Sequence, residues 1–306
     1  SQGAINPLDC MRFPFFAGIV DMGLLDSVIS AIGTKGGASS QQAALLPALL
    51  GALAAAKTDT SIGEIGALVN VTYSQAENIR SVTNLGVGIP ADVASVVAEE
   101  GHIDSITLTA ETGAVGGVPA ALPNFGSSYN LEATMLHNDM FDMIDGGGLD
   151  ITVLGLAQAD EAGNLNVSKF GPRLTGPGGF INLTQSAKKV VFCGNFMAKS
   201  KLRVEDGKLA IIEEGKARKF IKEVEQITFS GQYAKPDQTI LYVTERCVFQ
   251  LIDGKMTLIE IAPGMDLERD VLAHIEFSPV ISPALKTMDA AIFQETWGGL
   301  DQALQG

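Results

Sequence analysis

Basic side chains are in short supply in this sequence. Against 35 Asp and Glu there are only 21 Lys and Arg, a formal net charge of −14. That deficit argues against nucleic acid and anionic membrane as partners, because both select basic surface. A local basic pocket stays compatible with it, and the densest basic spots, Lys188-Lys189 and residues 216–219, read equally well as solvated helix faces. Cysteine is scarce too: Cys10, Cys193 and Cys247 are far apart, form no CxxC pair and demand no oxidising compartment. Cys193 and Cys247 fall inside apolar runs and read as buried thiols. The three histidines, His102, His137 and His274, lack metal-ligand spacing, so no metal site is expected. There is no run of about 18 apolar residues and no charged segment leading into an apolar one. The expectation is a cytoplasmic protein without a membrane span.

What the chain does have is length, apolar content and glycine. Its 306 residues are 46% hydrophobic, enough for a large core, and 34 of them are Gly while only 6% are aromatic. Abundant glycine with few aromatics suits an α/β protein with tight strand-to-helix turns. The character changes near residue 83. Residues 1–82 are read as a helical N-terminal segment of unknown role, and 83–306 as a second unit in which strand and helix patterns alternate. Residues 91–100 form a helix pattern preceded by Pro90 and capped by Gly101. Runs 151–157 and 189–196 are continuously apolar, as strands covered on both faces should be. Asp206-Gly207 and Asp253-Gly254 sit between apolar runs as hairpin turns, and 268–274 carries a final helix pattern.

One acid stands out. The apolar run 103–108 delivers Glu111 into a loop holding Gly113, Gly116 and Gly117. A carboxylate at a strand end, facing backbone that substrate can approach, is a candidate nucleophile. A solvated acid before a turn satisfies the same pattern. Further glycine clusters occur at 86–88, 146–148 and 176–179. The first lacks the third glycine of a dinucleotide fingerprint, and the last lacks the Lys-Ser/Thr of a phosphate loop. Together they offer several glycine turns whose N–H groups can face one cleft.

Seven ordered motifs carry a resemblance: NLGVGIP (84–90), LTAETGAVGGVP (108–119), DGGGLD (145–150), GNLNVSKFG (163–171), GPGGFIN (176–182), YVTERCVF (242–249) and EIAPGMD (260–266). They resemble the family I coenzyme A transferases, nearest to the propionate and acetate CoA-transferases, across residues 83–293. The resemblance implies an α/β open sheet flanked by helices, with added antiparallel hairpins. It covers only the second, glutamate-bearing half of the family's two-half polypeptide. A partner chain supplying the first half is therefore implied, together with a homo- or hetero-oligomer. Two departures stand out: MAKSKL (197–202) replaces a turn that in the family carries two glycines, and the loop after Pro119 has fewer glycines.

By the same resemblance the chain moves CoA between a short-chain acyl-CoA, of acetyl or propionyl type, and a free carboxylic acid. The implied mechanism is ping-pong, with Glu111 passing through a glutamyl-CoA thioester and no metal taking part. Anionic tetrahedral intermediates need N–H donors, for which Gly116, Gly117, Gly178 and Gly179 are the candidates; permitting a tight turn is the equal alternative for each. Asn84, Gly86, Gly88, Asn166 and Ser168 are candidates for binding CoA or carboxylate, with structural hydrogen bonding as the alternative for the polar three. Glu245 and Arg246 read as a structural ion pair or cap, Asp145 and Asp150 as turn stabilisers, and Phe125 and Tyr129 as acyl-pocket or core aromatics. Hydrolysis of the thioester is a third outcome for such a site. The rival reading from another class is a catalytically incomplete half-domain with a structural or interaction role.

Overall fold

A strongly apolar stretch that recurs every few tens of residues must pair and bury itself, and here it does so in one mixed sheet. The computed structural model describes residues 81–99, 101–120 and 124–294. The helical reading of residues 1–80 lies outside the described residues. Ser81 and Val82, grouped with that segment by sequence, belong to the first strand instead.

Among the described residues ten strands form the main sheet: β1 Ser81–Leu85, β2 Ile106–Thr109, β3 Ala114–Val115, β4 Ala133–Thr134, β5 Ile151–Gly155, β6 Lys189–Cys193, β7 Thr239–Val243, β8 Cys247–Ile252, β9 Lys255–Ile261 and β10 Val280–Thr287. Their order is β10-β9-β8-β7-β6-β5-β1-β2-β3-β4. The five central strands, β2-β1-β5-β6-β7, are parallel. Antiparallel strands extend both sides: β3 and β4 beyond β2, β8 and β9 beyond β7. The expected α/β sheet with antiparallel additions is what the chain forms.

Among the described residues three helices cover the sheet: α1 Ile89–Glu99, α2 His137–Asp145 and α3 Phe180–Ser186. Strand alternation assigns them to faces. Leu154, Val190, Phe192, Ile240 and Tyr242 point into one core shared with Met140 and Ile144 of α2 and Phe180 and Leu183 of α3. The intervening Val153, Val191, Leu241 and Val243 are buried but lie outside that core, as are Val93 and Val97 of α1, which packs on β1 and β5. The few aromatics are concentrated where α2 and α3 sit. Phe192 touches Phe180, Phe229 and Tyr242 at ring-centroid distances of 5.7, 5.1 and 5.2 Å. Such pairs add about 0.5–1.5 kcal/mol each beyond area burial.

Polar ties set the ends. Asp150 accepts from the Val82 amide at 2.9 Å and pairs with Lys188 at 2.6 Å, joining the starts of β1, β5 and β6. Asp145 accepts from Asn182 at 3.0 Å, linking α2 to α3. Both Asp-Gly turns adopt the left-handed pair that a two-residue hairpin requires, φ 51° and 70° at Asp206-Gly207 and 50° and 69° at Asp253-Gly254. At the departure 197–202, Lys199 takes φ 64°. The backbone follows a glycine-type path with a lysine, at a cost of about 1 kcal/mol. The segment expected as a last helix is instead a π-turn, Leu267–Val271, followed by a 3-10 turn, Leu272–His274. Asp266 caps it, and Asp270 returns a bond to the Asp266 amide at 2.8 Å, which tightens the turns at that end.

Because five adjacent strands run the same way, their carboxyl ends share one edge. The connections leave β1 towards β2 on one side and later resume at β5 on the other, which makes a switch point beside β1. Open α/β sheets bind ligands at such places.

Candidate active site

Glu111 stands at that edge, two residues beyond the end of β2. The turn it occupies closes through Gly113 N–H to the Ala110 carbonyl at 2.9 Å and Ala110 N–H to the Ala114 carbonyl at 3.0 Å. The chain then returns as β3, so Glu111 sits at the tip of a tight β2–β3 hairpin. Gly113 has φ 115°, and a Cβ there would lie 3.0 Å from the Met135 carbonyl carbon and closer to its oxygen. Glycine is required there on both counts.

The carboxylate is half-buried and meets Gly179, 68 residues on. The Gly179 backbone lies against it at the turn that starts α3, where its N–H favours the ionised form. Gly179 has an ordinary φ of −77°. It is glycine because a Cβ would come within 2.6 Å of Glu111 Cδ and 3.0 Å of Oε1, and nearer still to Oε2. Burial strips water from the Glu111 carboxylate and raises its pKa above the usual glutamate value, with the Gly179 amide and the nearby His137 acting in the opposite direction. The result is a carboxylate partly deprived of water and held by one amide.

The other expected site residues divide. Gly178 adjoins Gly179 with φ 55° and open space around its Cα. Gly116 is not a free donor: its N–H bonds the Leu108 carbonyl at 2.7 Å, and its φ of 75° and the Glu132 side chain beside it explain the glycine. Gly117, φ 72°, lies against the Tyr129 and Asn130 backbone, where any Cβ would clash. Gly86 gives its N–H to the Val153 carbonyl at 2.8 Å, so that amide too serves the sheet. Gly88, φ 89°, forms the turn into α1, and its carbonyl accepts from Ala91.

Asn166 and Ser168 make the internal hydrogen bonds that were the alternative reading for them. Asn166 is fully buried; it accepts from the Ser168 and Lys169 amides and donates to Gln158 and the Lys169 carbonyl. Ser168 bonds Thr228 at 2.8 Å, and its carbonyl accepts from Thr175 and Gly176. These two residues brace the base of the 176–179 turn, and so help place the Gly179 amide. Asn84 lies closer to the chemistry. It pairs with Thr109 in the register of β1 and β2, donates to the Thr109 carbonyl at 3.2 Å, and keeps a buried Oδ1 without a partner.

Glu245 and Arg246 form the expected buried ion pair, Nε to Oε1 at 3.5 Å, and each has further partners. Glu245 accepts from the Phe196 amide at 2.8 Å, while Arg246, fully buried, forks onto Glu214 at 2.6 and 2.9 Å and reaches the Asp270 carbonyl at 3.0 Å. Burial raises the pKa of Glu245. At Glu214 burial is outweighed by the Arg246 bonds and the Gly215 amide, and its pKa falls. Tyr129 is exposed and Phe125 partly so, which removes both from the core. Among the described residues no group of three or more His, Cys, Asp or Glu is placed to hold a metal, and no helix is long and apolar enough to cross a membrane.

Sequence reading gave no role to His137. Its Nδ1 lies 2.9 Å from the Glu111 carbonyl oxygen. The 26-residue separation gives no periodic signal that could have linked the two.

No family model matches the chain. Among curated proteins, it is 63% identical over 226 residues to the caffeate CoA-transferase of Acetobacterium woodii, covering 72% of this chain and 43% of that one. It is 34% identical over 196 residues to the acetate CoA-transferase subunit beta of Escherichia coli K12, covering 61% of this chain and 80% of the subunit. Among solved structures it resembles the acyl-CoA transferase YdiF of E. coli O157:H7 in a thioester complex with CoA, with TM-score 0.71 and 40% identity over 79% of this chain and 46% of that one. The chain thus spans less than half the length of the caffeate and YdiF relatives.

Proposed function

This chain belongs to the CoA-transferase family, and on that premise we propose that it moves CoA from an acyl-CoA to a free carboxylate with Glu111 as the covalent carrier. The observation that carries the reading is the half-buried Glu111 carboxylate at the sheet's carboxyl edge, lying against the Gly179 backbone. In the first step Glu111 attacks the thioester carbonyl, forming an acyl-glutamyl anhydride and releasing CoA thiolate. The thiolate attacks the glutamyl carbonyl of the anhydride, which yields glutamyl-CoA and the first carboxylate. A second carboxylate attacks the glutamyl-CoA carbonyl and expels thiolate, which takes the new acyl group and returns Glu111 to its starting state. No proton or electron is gained over the cycle. Partial desolvation favours this chemistry, since a carboxylate stripped of water is the better nucleophile. Gly179 N–H, already on the carboxylate, is the donor for the oxyanion that forms on the glutamyl carbon, with Gly117 and Gly178 left as weaker candidates; such a donor contributes about 3 kcal/mol.

Residues 83–306 form the glutamate-bearing half in this reading, and a first half from another chain completes the cleft. Two observations support that partner. Relatives of this part of the family occur as a separate subunit beta. The apolar side chains Val87, Leu174 and Ile181, near glycine turns in the sequence, and Leu136, next to His137, are exposed, with Leu174 74% exposed. The assembly is then an oligomer.

For substrates we propose a short-chain acyl-CoA of acetyl or propionyl type. The second reading is an aromatic acid, favoured by the 63% identity to a transferase named for caffeate. A panel of acetate, propionate and caffeate acceptors with acetyl-CoA, given to the chain with and without a supplied first half, separates them. Propionyl-CoA formation supports the first reading, caffeoyl-CoA alone the second. Transfer that survives intact in Glu111→Gln contradicts both, and thiol release without acceptor identifies hydrolysis.

A further inference from the structure

Gly179 holds the side chain of Glu111; a different residue holds its main chain. His137 begins α2, and its ring meets Phe141, one helical turn on, edge to face at a centroid distance of 5.0 Å and 72°. That contact orients the imidazole, and Nδ1 falls 2.9 Å from the carbonyl oxygen of Glu111. The neighbouring backbone is joined as well, by Met135 N–H to the Gly113 carbonyl at 2.8 Å. The start of α2 therefore clamps the 110–113 turn from outside the sheet.

We propose that His137 is the positioning residue for the nucleophile: its Nδ1–H, donated to the Glu111 carbonyl, fixes the turn that aims the carboxylate at the acyl-CoA thioester. This rests on the reading of Glu111 as the acyl carrier. A carbonyl oxygen only accepts, so Nδ1 must carry the proton, and in the neutral ring Nε2 is left as an acceptor. Free neutral imidazole side chains favour the opposite tautomer, which makes the tautomer diagnostic. The β2–β3 turn is tight but short, and without the clamp the Glu111 main chain can rotate. A nucleophile that moves by a fraction of an ångström loses rate without losing substrate affinity.

Two measurements on the assembled transferase test this. Nitrogen-15 NMR in alkaline solution resolves the tautomers of the three histidines, with the His137 signal assigned by its loss in His137→Asn. The expected result is Nδ1–H; an Nε2–H tautomer overturns the proposal. The second is the rate of Glu111 labelling by acyl-CoA followed by borohydride. His137→Leu is expected to slow labelling roughly five- to tenfold, the value of one hydrogen bond, with KM for acyl-CoA unchanged. An amide donor, His137→Asn or His137→Gln, restores the rate to within about twofold in at least one case. Equal rates in wild type and His137→Leu, or amide variants both as slow as His137→Leu, refute the positioning role. A wild-type enzyme that turns over without labelling Glu111 instead refutes the reading beneath it, while the tautomer still reports whether the clamp exists.

Discussion

Gly179→Ala isolates the nucleophile from the fold. At φ −77° alanine is an ordinary residue, so the backbone of the turn into α3 gains no strain. The added methyl, however, would lie 2.6 Å from Glu111 Cδ and 3.0 Å from Oε1, inside ordinary contact. The carboxylate must retreat by about 1 Å, and a displacement of that size costs on the order of 100-fold in the chemical step. Weakening the Gly179 N–H bond adds to that loss. The assay is the single-turnover rate of Glu111 acylation by acyl-CoA, read beside the thermal midpoint. The expected result is a rate down by about 100-fold with the midpoint nearly unchanged. Gly178→Ala is the internal comparison: its surroundings are open but φ is 55°, so it should cost stability, about 1–2 kcal/mol, with a smaller effect on rate. If Gly179→Ala labels Glu111 at the wild-type rate, the placement of the carboxylate against this turn has no bearing on catalysis.

Other outcomes follow from the same geometry. Since burial raises the Glu111 pKa, the acid limb of the labelling rate should lie at higher pH than for an ordinary glutamate, because only the ionised form attacks. The linked stability effect has a definite sign: a raised carboxyl pKa gives folding support below the unfolded value that is lost as pH rises through the folded one. Glu111→Gln should therefore abolish transfer yet melt above wild type near pH 8, and the gap should close near pH 4. Arg246→Leu leaves Glu245 buried without its cationic neighbour and should lose about 3–5 kcal/mol in denaturant titration. Asn166→Ala removes four internal hydrogen bonds and should lose at least about 2 kcal/mol, whereas a residue that only bound CoA would change KM and leave stability alone.

The strands within 106–109, 151–155, 189–193 and 239–261 were legible because each is a short apolar run, and the hairpins because Asp-Gly demands left-handed backbone; the two-residue β3 and β4 and the largely exposed β10 carry no such signal. Glu111 was legible for a related reason: a strand pattern ending in an acid and glycines puts that acid at the carboxyl edge. The partners of Glu111 were not. That Gly179 lies against the carboxylate and His137 against the carbonyl depends on how α3 and α2 dock on the sheet, 68 and 26 residues away. Individual glycines were ambiguous because a turn and a donor require the same residue. Gly116 and Gly86 proved to give their amides to the sheet, and only the bond partners reveal that. Asn166 and Ser168 were ambiguous in the same way: a polar group inside a motif suits a ligand or a loop, and here the two bond each other and the loop they support.

The most direct test of the central claim is to incubate the enzyme with acyl-CoA, reduce with borohydride and map the reduced residue by mass spectrometry. Conversion of Glu111 within the peptide covering 103–120 to the corresponding alcohol, dependent on acyl-CoA and absent in Glu111→Gln, is the predicted result. Turnover with Glu111 unmodified and another side chain reduced would contradict the account.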